Sequence, residues 1–86
     1  MALQQELPGA ESETEQANRL FDERVPHLPG VLRVEPHVGR VTGERSFTVY
    51  VRPDDLSARN GVYDLESELY ARFPDARLDI LVREEG

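Results

Sequence analysis

The sequence predicts an α+β domain in the order αββαβ, with two helices covering one face of a three-stranded sheet. Three observations carry this. Two segments repeat apolar residues at helical spacing, three segments alternate apolar with polar residues, and proline or glycine punctuates the joins. Two helices can cover only one face of three strands, so the result is a two-layer sandwich.

Each element has its own justification. Residues 1–11 are polar and carry Pro8-Gly9, and they are expected to form a disordered tail ahead of a single domain spanning 12–84. In "SETE", Ser12 is placed to cap a helix with Glu15 three residues on, a capping box. Ala17, Leu20, Phe21, Val25 and Leu28 then form one apolar stripe, and Pro26 and Pro29-Gly30 bring it to an end.

The stretch "VLRVEPHV" alternates, predicting a strand over 31–38 with Leu32, Val34, Pro36 and Val38 inward and Arg33, Glu35 and His37 outward. Pro36 has no N–H to give to a ladder, so it marks an edge, a bulge or an early end. After the turn "GRVTGER", residues 46–52 alternate again, with Phe47, Val49 and Val51 inward and Thr48, Tyr50 and Arg52 outward. The two strands are expected to pair as a hairpin.

A second helix is expected after "PDDLS", capped by Asp55 or Ser57, with Ala58, Val62, Leu65, Leu69 and Phe73 as its buried stripe and Pro74 closing it. Gly61 costs a helix about 1 kcal/mol relative to alanine, which moves the expected start toward Val62. The last strand is read from "DARLDILVRE", 75–84, with Leu78, Ile80 and Val82 inward and Asp79, Leu81 and Arg83 outward. Leu81 thus stands with Tyr50 on an uncovered, otherwise charged sheet face.

Bulk properties narrow the function. A chain of 86 residues buries roughly 60–65% of its unfolded surface, so its stability is marginal. There is no cysteine to staple it or to hold zinc as a thiolate, which fits a reducing compartment, and a cytoplasmic location is expected. The first residues have neither the basic start nor the apolar core of a signal peptide, and no apolar run approaches the ~20 residues of a membrane span. Seventeen acidic against ten basic residues give a formal net charge of −7, which repels phosphate backbones and anionic lipid at long range.

Few residues suggest chemistry. Glu35 and His37 share a strand face and Asp79 could join them from the third strand, a candidate divalent-cation site short of the three or four ligands zinc prefers. His27 lies in a helix-ending turn, where an imidazole caps carbonyls or meets water. Asp54 and Asp55 are adjacent and diverge, so capping explains them better than paired-carboxylate catalysis. No nucleophile has a suggested base and no phosphate-binding glycine loop is present, so neither catalysis nor a cofactor is expected. Tyr50 with Arg33, Arg52 and Arg83 could stack and hold single-stranded RNA on the open face, although a basic, glycine-rich signature is missing.

Two stretches together, "LPGVLRVEPHVGRVTGERSFTVYV" and "RPDDLSARNGVYDLESELYARFPDARLDILVRE", resemble the cytoplasmic C-terminal domain of cation diffusion facilitator transporters (zinc and iron efflux). The likeness runs over residues 17–84. It rests on Leu-Pro-Gly-Val after the first helix, a glycine before the second strand, Asp-Leu-Ser opening the second helix and Phe-Pro-Asp before the last strand. It implies a ferredoxin-like or metallochaperone-like αββαβ fold, a homodimer and, in many members, zinc near the dimer interface. The family's histidine ligands match Tyr50, Val62 and Leu81 here, none of which is a zinc ligand. Without the membrane part, such a chain is expected to transport nothing by itself.

The expected function is a non-enzymatic interaction module that forms a homodimer, or engages another protein, through the open sheet face or its edge. Tyr50 and Leu81 would be the anchors, with Arg33, Arg52 and Arg83 facing Glu35 and Asp79 across the contact. Cation binding through Glu35, His37 and Asp79, and RNA binding on the open face, are the alternatives.

Overall fold

A computed structural model describes residues 12–41 and 43–86; the expected tail over 1–11 lies outside them. Two helices and a three-stranded mixed sheet form the α+β arrangement the sequence predicts. Helix α1, Glu13–Arg24, starts with the expected capping box: the Ser12 hydroxyl accepts from the Glu15 N–H at 3.1 Å, and the Glu15 carboxylate accepts from the Ser12 N–H at 2.9 Å. Ala17, Phe21 and Val25 are fully buried, as the stripe requires. With no N–H at Pro26, the chain tightens into a single 3₁₀ turn over Val25–His27.

Strands β1, Val31–Val38, and β2, Arg45–Val51, pair antiparallel, and β3, Ile80–Glu84, adds to β2 in parallel, giving the order β1-β2-β3. The central strand alternates as read, with Phe47, Val49 and Val51 buried. β1 departs from the expected pattern. A register shift between Val31 and Arg33 puts an extra residue into the strand, so Leu32 turns outward and is 45% exposed. Val38, at the hairpin end where helical cover runs out, is 65% exposed.

Helix α2, Leu56–Arg72, begins a full turn and more before Val62. The Asp55 carboxylate accepts from the Ala58 N–H at 2.9 Å, and this cap, together with burial of Ala58, outweighs the cost of Gly61. Val62, Leu65 and Leu69 complete the buried stripe. β3 is shorter than 75–84: Ala76 and Leu78 are buried but precede the strand. The Tyr70 hydroxyl accounts for the late start, since it accepts from the Leu78 N–H and donates to the Leu78 carbonyl, both at 3.1 Å.

Phe21 and Phe47 meet at 5.1 Å between ring centroids, joining α1 to the middle of the sheet. Among the described residues Asn18 is the buried polar exception, 2% exposed within the α1 stripe. Its amide donates to the Thr14 carbonyl at 2.7 Å and to the Arg77 carbonyl at 3.4 Å, tying α1 to the segment that leads into β3.

Candidate interaction surface

All the helical cover lies on the face that holds Phe47, Val49 and Val51. The strand registers arrange the other face in rows. Arg33, Tyr50 and Arg83 form one row across β1, β2 and β3, and Glu35, Thr48 and Leu81 form the next. His37 and Ser46 follow, with Asp79 just before the start of β3.

Arg33 dominates the first row. Its Nε and Nη2 donate to Glu85 at 2.9 Å, its Nη1 donates to Glu35, and its guanidinium carbon lies 3.8 Å over the Tyr50 ring. The Tyr50 hydroxyl donates to Glu35 at 3.1 Å. These hydrogen bonds hold the Glu35 and Glu85 carboxyls below the usual carboxylate range and raise the Arg33 pKa. Two charge signs and an aromatic therefore close on themselves within one copy.

Leu81 differs: it is 51% exposed beside Thr48. Arg83 is exposed and has no ion pair among the described residues, and the Asp79 side chain is also exposed and unpaired there. Arg52 lies just past the end of β2, where its N–H reaches the Gly30 carbonyl, so it sits outside the rows.

The proposed cation ligands come together only in part. His37 Nε2 lies 4.0 Å from Glu35 and 3.3 Å from the Thr48 hydroxyl. Asp79 belongs to the far side of β2, roughly 10 Å from β1 at two strand spacings. Among the described residues, no group of three His, Cys, Asp or Glu side chains could hold a metal ion. Of the positions matched to family histidines, Tyr50 and Leu81 share the open face, whereas Val62 is fully buried in the helical layer. Asp55 is engaged in capping α2 and His27 is exposed in the 3₁₀ turn.

Sequence reasoning missed one feature. An open groove of about 580 Å³ runs along α1 and the approach to β3, lined in part by Thr14, Asn18, Arg45, Tyr70 and Arg77. Its polar groups mostly serve the fold: Thr14 Oγ1 accepts from the Arg77 N–H at 3.0 Å, and Tyr70 is bonded to Leu78. The Asn18 amide oxygen alone is buried there without a partner among the described residues. An asparagine inside a helical stripe gave no periodic signal that could have revealed it.

No family model, curated protein or solved structure matches the chain. No helix among the described residues is long and apolar enough to cross a membrane.

Proposed function

We propose that this domain is a non-enzymatic interaction module that self-associates through the open sheet face or its edge, with Leu81 in the contact. The observation that carries this is the contrast between neighbours on one face. Arg33, Glu35, Tyr50 and Glu85 are mutually satisfied, while half-exposed Leu81 lies between the unpaired charges of Asp79 and Arg83. An apolar centre with one free charge of each sign beside it suits a second copy, because a twofold contact can set each cation against the other copy's anion.

The arrangement refines the anchors expected from sequence. Tyr50 serves as the base on which Arg33 stacks, so Leu81 is the principal apolar contact and Arg83 the principal charge. Burying the exposed half of one leucine contributes about 0.7–1.5 kcal/mol per copy before association costs, which describes a weak, concentration-dependent dimer. The likeness to cation diffusion facilitator C-terminal domains, with their ferredoxin-like fold and homodimers, points the same way. RNA binding is disfavoured, since a base stacking on Tyr50 must displace Arg33 from the ring. Cation binding has only the Glu35–His37 pair to build on.

Light scattering over a dilution series tests the proposal. The expected result is a mass rising from monomer to dimer with concentration, and a Leu81→Arg variant that stays monomeric throughout. A variant with an unchanged dimer would remove Leu81 from the interface.

A further inference from the structure

The two edges of the sheet are not equivalent. Phe47 N–H bonds to the Asp79 carbonyl and Glu85 N–H bonds to the Val51 carbonyl. Between these fixed points a parallel ladder commits the backbone of Leu81 and Arg83 to β2. The N–H and C=O groups of Ile80, Val82 and Glu84 consequently point away from the sheet, and no further strand pairs with them among the described residues.

The outer edge of β1 is interrupted, since the outward groups of Val34 and Val38 flank a position with no donor. Phe47 points its backbone toward β3, so its partner Pro36 has its missing donor on the outer side, and the shift at Val31 and Arg33 distorts the strand further along. On β3, the same outward parity reaches back to Leu78, where the Tyr70 hydroxyl occupies both backbone groups. Among the described residues, the uninterrupted stretch of open edge is therefore on β3, bounded at its start by a side-chain cap.

We propose that β3 pairs antiparallel with β3 of a second copy, with Val82 opposite Val82, so that the two sheets become one continuous sheet. This rests on the self-association proposed above and specifies its geometry. Only this register pairs all three free positions, Val82 with Val82 and Ile80 with Glu84 in both directions, each exchanging both backbone bonds. On the open face it sets Leu81 directly opposite Arg83 of the second copy, with Leu81 diagonal to Leu81 and Arg83 diagonal to Asp79 of that copy. Both diagonal spacings are within reach across a sheet, at roughly 7–8 Å between backbones. The half-exposed leucine then packs on the aliphatic stem of Arg83, whose guanidinium is free to reach the unpaired Asp79. Glu84, facing Ile80 across the join, is drawn aside by Arg59 at 3.5 Å.

Residue-resolved amide exchange by NMR, at concentrations below and above the dimer midpoint, tests the pairing. Leu81 and Arg83 amides should exchange slowly throughout, while those of Ile80, Val82 and Glu84 should slow at least tenfold on dimerisation. A dimer in which those three amides stay fast overturns edge pairing and leaves contact through the face standing; a monomer at every concentration overturns both. The register has its own test. Arg83→Asp should weaken the dimer about two- to tenfold, and adding Asp79→Arg should restore it. Failure of the double variant to recover overturns the Val82-centred register.

Discussion

Arg33 shows how much one side chain can organise. It stacks on Tyr50, bonds Glu85 just past β3 and bonds Glu35 on its own strand, so one side chain links all three strands across the open face. Glu35 and Glu85 titrate below ordinary carboxylates, mainly because Arg33 bonds their charged forms. A carboxylate depressed by folding stabilises the protein above its unfolded pKa, about 4.3, and that contribution disappears as pH falls through the lower folded value. Stability measured by denaturant should decline in this acid range, and Arg33→Gln should decline less steeply between about pH 5 and pH 2. Equal slopes for the two proteins would show that the cluster adds nothing to stability. Both carboxylates are solvent-exposed at their charged ends, so the difference should be small.

At the scale of elements, the start of β1 and the start of α2 fit each other through Gly30. Its φ is +84°, and a Cβ built there would lie 2.5 Å from the Ala58 Cβ and 2.7 Å from Asp55 Oδ2. Gly30→Ala should destabilise the domain by roughly 2–4 kcal/mol, from left-handed strain and overpacking together, read as a lowered denaturation midpoint. A midpoint within error of the parent would mean that the joint is slack. Leu-Pro-Gly-Val and Asp-Leu-Ser, singled out as separate stretches of sequence, are thus two sides of one contact. The helices were legible because Ser12 and Asp55 announce their starts and their stripes repeat. Central β2 was legible because it alternates without interruption. Leu32 was misplaced because a bulge shifts register without changing composition, and β3 was drawn too long because Tyr70 intercepts Leu78 from a helix eight residues earlier. The open face itself followed from alternation, but which charges on it pair and which stay free depends on strand order, which alternation does not encode.

Across the whole molecule, a two-layer sandwich leaves half its sheet surface bare and exposes two strand edges, and this chain treats those edges differently. A subunit with two usable edges can add neighbours without limit, whereas one with a single usable edge is a chain terminator. Under the proposed β3 pairing, Pro36 and the register shift at Val31 and Arg33 together keep the β1 edge from being the second usable one. Replacing Pro36 with valine restores a donor on the outer side of β1 at little cost to the core, since Pro36 is itself exposed. Pro36→Val should shift the population from closed pairs toward extended assemblies that scatter more light with time and bind amyloid-sensing dyes, and a variant that remains strictly dimeric would place the stop elsewhere. One missing hydrogen, beside a shifted register, would then limit the valence of the molecule under the proposed pairing, and with it mark the boundary between a closed pair and a fibre.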